Sequence, residues 1–299
     1  MSNFIMIIIY ILIGYILKNI TLPIKELAVK LNKFVIYISL PAMIFLQIPK
    51  LEFTNGTLIP IVIAWSVMAL SAILVLVISK YMDFSKEITG ALMLVTVLTN
   101  SSFLGIPIIS GYYGLEALPY ILVYDQLGTF LALATYGTFV ASYYSSESKV
   151  SLKIIAFKVI SFPPFVSLVI AVFLSGVVYP SGISNILGIL ASTIVPFALV
   201  AVGLQLQFKL PRDEIKPFAV SLFIKLIIAP IIAIVICYIF GWNNFISKVS
   251  ILEASMAPMI TAAAMASMIG LAPRLSNAIV AYGILLSFFT SWVFFMMIA

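Results

Sequence analysis

The 299-residue sequence contains no histidine, one cysteine and few charged residues, which make up 9% of the chain. Without histidine, neither a serine–histidine catalytic pair nor a histidine-ligated metal site can be assembled. The single cysteine, Cys237, excludes an intramolecular disulfide. So few charges also exclude an ordinary water-exposed surface, because soluble domains carry about 25% charged residues.

Apolar residues dominate instead: 64% of the chain is hydrophobic, and the mean hydropathy is +1.25. A bilayer core of about 30 Å is crossed by a helix of about 20 apolar residues, whereas an open sheet cannot cross it. We therefore predict an all-α polytopic membrane protein with ten transmembrane helices and no separate soluble domain. Apolar runs and helix breakers place spans 1 to 10 at Phe4–Leu17, Leu27–Ile48, Leu58–Ser79, Ile88–Tyr112, Leu118–Tyr144, Ile155–Val178, Ile183–Leu206, Phe218–Phe240, Ile246–Ile269 and Leu275–Ile298.

The distribution of basic residues predicts the orientation of the chain. If the N-terminus lies outside the cytoplasm, thirteen of the sixteen basic residues fall on the cytoplasmic side. They are Lys18, Lys25, Lys30, Lys33, Lys80, Lys86, Lys149, Lys153, Lys158, Lys209, Arg212, Lys216 and Arg274. The opposite side holds Lys50 and Lys248, a bias that matches the positive-inside rule. We expect a multi-pass cell-membrane protein with both termini on the non-cytoplasmic side. Because the charge is spread over many loops, it does not indicate nucleic-acid binding.

The ten spans divide into two five-helix repeats, residues 1–145 and 154–299, joined by a short cytoplasmic linker at 146–153. The internal repeat is weak but visible, because Pro41 in span 2 and Pro196 in span 7 occupy corresponding mid-helix positions. With an odd number of spans in each half, the second half must insert with the opposite orientation. Inverted repeats of this kind are typical of secondary transporters.

Two spans at corresponding positions of the halves are interrupted by polar residues and prolines. Pro107 in span 4 and Pro258 in span 9 each remove a backbone donor and crowd the carbonyl four residues earlier. One such break alone is usually an ordinary proline kink, but a matched pair predicts a binding site at the middle of the bilayer. The helix N-termini at such a site favour an anion. The predicted substrate-binding residues are Asn100, Ser101, Ser102, Pro258 and Met259.

Three charged residues lie inside predicted spans, where charge is costly and usually functional. Asp125 in span 5 is expected to couple substrate or cation movement, with a structural hydrogen-bond hub as the alternative. Glu253 precedes the break in span 9, either in the interior or near the outer interface. Lys225 in span 8 is more plausible as a charge partner of Asp125 or Glu253 than as a direct substrate ligand.

Several short stretches together resemble the auxin efflux carrier family, which includes the plant PIN transporters and bacterial carriers of malate- or malonate-like acids. They lie in the same order along nearly the whole chain, so we identify a prokaryotic relative of the plant proteins. The stretches are LNKFVIYISLP at Leu31–Pro41, NSSFLGIP at Asn100–Pro107, VPFALVAVGLQL at Val195–Leu206, IKLIIAP at Ile224–Pro230 and MAP at Met256–Pro258.

The resemblance implies a sodium/proton-antiporter type of fold. Spans 1, 2, 6 and 7 would form a scaffold, and spans 3–5 and 8–10 a transport domain in which spans 4 and 9 cross near the substrate. Asn100 matches the crossover asparagine of the family, and Pro258 its crossover proline. Dimerisation through the scaffold and an elevator-like movement would follow. The chain departs from many plant members in its short connection at Ser145–Leu152 and in having Thr99, not proline, before Asn100.

These observations favour a secondary carrier of small organic anions, either malate- or malonate-like or auxin-like. The alternative is a carrier of the same fold coupled to sodium or a proton through Asp125 or Glu253; an ion channel is less favoured. An intramembrane aspartyl protease would need two carboxylates sharing a proton, and the other aspartates, Asp83 and Asp213, belong to loops. We therefore expect no enzyme, and no cofactor or metal beyond a coupling ion.

Overall fold

The computed structural model describes residues 2–18, 24–51, 54–144, 157, 160–206, 208 and 214–298. Within these ranges the chain is all-helical and contains no strand, apart from one isolated antiparallel bridge between Thr99 and Pro258. The predicted linker at 146–153 lies outside the described residues. The all-α prediction is therefore confirmed for the part of the chain that the structure covers.

The first half of the chain, up to residue 144, contains eight α-helices within the described ranges. They are α1 Ser2–Leu17, α2 Ile24–Phe34, α3 Leu40–Gln47, α4 Ile59–Tyr81, α5 Lys86–Val95, α6 Ile106–Tyr113, α7 Leu118–Val123 and α8 Thr138–Tyr144. From residue 163 onwards, the described helices are α9 Pro163–Phe173, α10 Ser181–Ser192, α11 Ile194–Gln205, α12 Ile215–Phe223, α13 Ala229–Phe240, α14 Phe245–Ala254, α15 Ile260–Met268 and α16 Pro273–Ile298.

Short π-helical segments join several of these helices into longer continuous rods. The segments are Val35–Ser39, Ser101–Gly105, Tyr124–Phe130, Leu133–Gly137 and Ile224–Ile228. A π-helix carries one extra residue per turn and occurs mostly as a local bulge, frequently at functional sites. The segments therefore mark local departures from the regular α-helix, and two of them contain the buried charged residues Asp125 and Lys225.

Six continuous helical stretches of the described chain are long and apolar enough to cross a membrane. They are Glu26–Lys50, Asn55–Tyr81, Leu115–Tyr144, Ser181–Gln205, Ile215–Phe240 and Pro273–Ile298. Two shorter apolar helices, Ile5–Leu17 and Pro163–Phe173, accompany them. These helices confirm a multi-pass membrane protein.

Close backbone packing joins α1 to α11. A Cβ atom placed on Gly14 would collide with the backbone at Val200 and Gly203, and one placed on Gly203 would collide with the backbone of α1. Small residues allow helix backbones to approach in a membrane, where van der Waals packing drives helix association. The two glycines therefore fix a tight seam between the N-terminal helix and a helix of the second half.

The helical stretches that contain Pro41 and Pro196 meet just before these prolines. Pro41 is the second residue of α3, directly after a π-helical segment, and Pro196 is the third residue of α11, directly after the break at Thr193. Both prolines thus follow an irregularity within a continuous helical stretch, where the regular hydrogen-bond pattern is already altered and a missing N–H costs less. Beside them, the hydroxyl oxygens of Ser39 and Thr193 are 2.6 Å apart and share a hydrogen bond.

Candidate functional site

Predicted spans 4 and 9 are each interrupted, and the two interruptions are paired. Between α5 and α6 the chain is extended at Thr99, which forms the antiparallel bridge with Pro258, between α14 and α15. The Asn100 N–H donates to the Ala257 carbonyl at 2.9 Å, and the Met259 N–H donates to the Leu98 carbonyl at 3.0 Å. The backbone groups freed by each break thus satisfy one another, which allows non-helical backbone in an apolar interior.

The interruption in span 4 lies at residues 96–100, well before Pro107. The chain re-enters a helix through the π-helical segment Ser101–Gly105, whose Gly105 N–H donates to the Asn100 carbonyl at 3.1 Å. Pro107 is the second residue of α6 and fits there without breaking the helix. The break is therefore determined by the pairing with span 9 and not by this proline.

A glycine on α16 makes room for the second break. A Cβ atom on Gly283 would lie 2.5 Å from Cδ of Pro258, closer than real carbon contacts. The ring of Pro258 is therefore packed directly against the backbone of α16. Because proline has no N–H, its place in the bridge leaves no backbone donor unsatisfied.

The paired breaks around Thr99 and Pro258 are called the crossing below. Asn100 lies at this crossing and has an unused hydrogen-bond donor. The residue is 2% exposed, and its side-chain nitrogen Nδ2 has no hydrogen-bond partner among the described residues. A buried amide without a partner is unfavourable and calls for an explanation, such as a ligand. Next to it, Met259 is the N-cap of α15 and provides no side-chain cap, so the first N–H groups of that helix also lack an intrahelical acceptor.

Asp125 is buried in the π-helical segment Tyr124–Phe130 and accepts three side-chain hydrogen bonds. Its Oδ1 accepts from the hydroxyls of Ser101 at 2.5 Å and Ser102 at 2.6 Å. Its Oδ2 accepts from Nε2 of Gln126 at 2.6 Å. The two serines predicted to bind substrate thus direct their hydroxyl protons to Asp125, and the carboxylate holds the break in span 4 against span 5.

Lys225 is buried in the π-helical segment Ile224–Ile228, and its Nζ donates to Oγ1 of Thr99 at 2.5 Å. The lysine was expected to pair with Asp125 or Glu253, but in the described part of the chain it forms no ion pair with either. Its ammonium instead contacts a neutral hydroxyl on the bridge residue. The charge of Lys225 is thus placed at the crossing.

Glu253 is fully buried near the end of α14, five residues before Pro258, and lies in the interior of the protein. Neither carboxyl oxygen has a hydrogen-bond partner among the residues described. The carboxyl group packs against Gly105, where a Cβ atom would lie 2.5 Å from Oε1 and 2.7 Å from Oε2. It interacts electrostatically with both Asp125 and Lys225.

The crossing therefore gathers two acids and one base from three different parts of the chain. Sequence reasoning found Asp125, Lys225 and Glu253, because a charge inside an apolar run is conspicuous. It did not assign roles to Thr99, which holds the lysine, or to Gln126. Gln126 could have been found from the sequence, because it is a polar residue directly beside an intramembrane acid.

A cavity of about 50 Å³ lies between α11 on one side and α15 and α16 on the other. Its lining includes Gln205, Ile260 and Asn277, so it begins at the first turn of α15. Pockets for small ligands usually measure about 300–1,000 Å³. The space beside the crossing is thus too small for a multi-atom substrate in this conformation.

The sequence is similar over most of its length to membrane transporters. The family model described as "Membrane transport protein" matches residues 1–295. An uncharacterized transporter of Methanothermobacter thermautotrophicus is 28% identical over 264 residues, covering 87% of this chain and 85% of the relative. A second uncharacterized transporter, from Methanocaldococcus jannaschii, is 28% identical over 269 residues, covering 86% of this chain and 85% of the relative.

Proposed function

Because the chain belongs to the membrane transport protein family, we propose that this membrane transporter is a secondary carrier of small organic anions. The observation that supports the proposal is the unused Nδ2 donor of buried Asn100 beside the uncapped start of α15. Amide donors and a helix N-terminus together favour a negatively charged group. A carboxylate of a malate- or malonate-like acid, or of an auxin-like acid, fits this set of donors.

In this proposal the five predicted substrate residues have different tasks. Asn100 donates directly to the substrate carboxylate, together with the first N–H groups of α15. Pro258 and Met259 form the backbone edge against which the substrate lies. Ser101 and Ser102 act as positioning residues, because their hydroxyls already donate to the Asp125 carboxylate.

We place these residues in a ten-helix fold with two inverted repeats of the sodium/proton-antiporter type. The six long apolar helices, the two shorter ones and the two interrupted helices together are consistent with that number. The scaffold of spans 1, 2, 6 and 7 is supported by the packing of α1 against α11, and of α3 against α9 and α10. In the remaining spans, α4 packs against α13 and α14.

An elevator movement of the transport domain along this scaffold would alternate access to the crossing. The small cavity between α11, assigned to the scaffold, and α15 and α16, assigned to the transport domain, supports this mechanism. Sliding or separation along that boundary would enlarge the cavity to the size of a substrate. We therefore interpret the described conformation as one in which the site is closed.

We further propose a homodimer that assembles through the scaffold, with both termini on the non-cytoplasmic side. The exposed isoleucines Ile183, Ile186 and Ile189 on α10 offer an apolar face for a second copy or for lipid. The sidedness is supported by the thirteen basic residues that the sequence places on the cytoplasmic side.

Coupling to sodium or a proton is the second candidate feature of this carrier. The observation in its favour is the group of three buried ionisable residues, Asp125, Lys225 and Glu253, next to the proposed substrate site. Intramembrane ionisable residues commonly mark ion pathways and proton relays.

Uptake into proteoliposomes tests the carrier proposal. Radiolabelled malate, malonate and indole-3-acetate would each be offered to the wild type, to Asn100→Ala and to the control Asn55→Ala, whose residue is exposed. We expect Asn100→Ala to lower uptake at least about tenfold, since a hydrogen bond to a charged group contributes about 1.5–3 kcal/mol. Equal uptake by the wild type and Asn100→Ala would sink the site assignment. Single-channel currents in a planar bilayer would favour a channel instead.

A further inference from the structure

The two buried carboxyl groups at the crossing differ in their hydrogen bonding. Asp125 accepts from three donors, whereas Glu253 has no partner on either oxygen within the described chain. Donors stabilise the ionised form of a carboxyl group, and burial without donors disfavours it. The hydrogen bonds of Asp125 therefore stabilise its ionised form, whereas Glu253 has no hydrogen bonds within the described chain that would do so.

The surrounding charges lead to the same conclusion. The ionisable groups that face Glu253 are Asp125 and Tyr124 from one π-helical segment and Lys225 from another. The group contains one base and two acids, so its net charge is zero when only one of the two acids is ionised. A second carboxylate at Glu253 would leave an uncompensated buried negative charge, which is strongly unfavourable. A protonated, neutral Glu253 leaves the group balanced.

We propose that Glu253 is the proton-binding residue of the transport cycle and that Asp125 is a permanently ionised positioning residue. The inference rests on the proposed carrier function and specifies its coupling ion. The choice between the two acids depends on their hydrogen bonds, because Asp125 accepts from three donors and Glu253 from none within the described chain.

The same contacts suggest how the proton acts on the crossing. When the O–H bond of the Glu253 carboxyl group breaks, the proton passes to water on the side to which the site is open. The new carboxylate attracts the Lys225 ammonium, which leaves the Thr99 hydroxyl and forms an ion pair with Glu253. Thr99, which is paired with Pro258, then loses its bond to the lysine. Proton release thereby changes the contacts of the substrate-binding segment.

A proton suits this position better than sodium does. Hard cations are held by several oxygen ligands, whereas Glu253 packs against the Cα of Gly105 and lies in the field of an ammonium.

Infrared difference spectroscopy on the reconstituted protein tests the inference without any substrate. The sample is stepped in pH in sodium-free buffer, and the carbonyl stretch of a protonated carboxyl group is followed. We expect a band that disappears as the pH rises and that shifts in wild-type protein labelled with ¹³C at the glutamate carboxyl groups. Glu253→Gln should remove the band, while Asp125→Asn and Glu116→Gln, a change of an exposed glutamate, should keep it.

Three results would overturn the proposal. The first is the absence of any such band in the wild type, and the second is a band that ignores the glutamate label. The third is a band that sodium abolishes at constant pH, which would assign the site to that cation. Even if Glu253→Gln does not fold, the isotope label shows in the wild type whether the protonated group is a glutamate or an aspartate. A glutamate band without anion uptake would reject the carrier proposal alone, and uptake without the band would reject this inference alone.

Discussion

The ammonium group of Lys225 donates a hydrogen bond of 2.5 Å to the hydroxyl of Thr99, a residue 126 positions earlier in the chain. Both side chains are buried. Thr99 is also the residue that pairs with Pro258 in the only bridge between the two interrupted helices within the described chain. The hydrogen bond therefore links the Lys225 ammonium to the paired helix breaks, next to the proposed anion site.

Removing the hydroxyl should destabilise the protein. In Thr99→Val the buried ammonium loses its acceptor, and we expect a cost of about 1.5–3 kcal/mol, as for hydrogen bonds to charged groups. Thermal unfolding in detergent measures the effect, with Thr99→Ser as the control that keeps the acceptor. A melting temperature for Thr99→Val equal to that of the wild type would contradict the assigned role of this bond.

Glu253→Gln should uncouple transport from the proton gradient. The amide has nearly the same size as the carboxyl group but cannot release a proton, so the charge change that attracts Lys225 no longer occurs. With radiolabelled malate, or another of the three test anions if only that one is transported, an imposed pH gradient should drive uptake in the wild type and not in the variant. Exchange of anion without a gradient should persist. Gradient-driven uptake by Glu253→Gln would rule out the proton role.

Asp125→Asn should lower uptake without changing its dependence on pH. In the variant an amide nitrogen replaces one carboxylate oxygen, and this nitrogen cannot accept a hydrogen bond. At least one hydrogen bond from Ser101, Ser102 or Gln126 is therefore lost, and the break in span 4 is held less firmly. The measurement is a pH profile of uptake for the variant beside that of the wild type. A flattened profile in Asp125→Asn would transfer the coupling role from Glu253 to Asp125.

Gly105→Ala should disturb the Glu253 carboxyl group directly. The added methyl group would lie 2.5 Å from Oε1, and overpacking of this kind typically costs about 1–3 kcal/mol. The matched control is Gly188→Ala on α10, where a Cβ atom meets no described atom within 4 Å; there we expect no loss of stability. Equal melting temperatures for the two variants would mean that Glu253 does not pack against Gly105.

Composition alone was sufficient to predict a helical membrane protein, because 64% hydrophobic residues cannot be arranged around a water-exposed surface. The interruptions in spans 4 and 9 were also predictable, since polar residues and proline stand out in apolar runs. The exact position of the interruption in span 4, however, could not be predicted from the sequence. Pro107 drew attention, but the chain leaves the helix after Val95, and at Leu98 and Asn100 the partner segment supplies a backbone donor and acceptor.

Long-range partners could not be read from the sequence for a physical reason. The Thr99–Pro258 bridge joins segments with no shared periodicity, and the π-helical segments differ from an α-helix by a single residue per turn. Lys225 illustrates the limit best. Charge alone favoured a carboxylate partner, whereas the packed structure offers the ammonium a neutral hydroxyl.

The Gly14–Gly203 contact has a consequence for how movement within the molecule can be observed. The backbones of α1 and α11 are in direct contact at these two glycines, so sliding of α1 along α11 would press Cβ atoms of neighbouring residues against the facing backbone. The two helices must consequently travel as one piece. A fluorophore near residue 2 would then act as a stationary reference, against which displacement of a second probe on α16 can be measured.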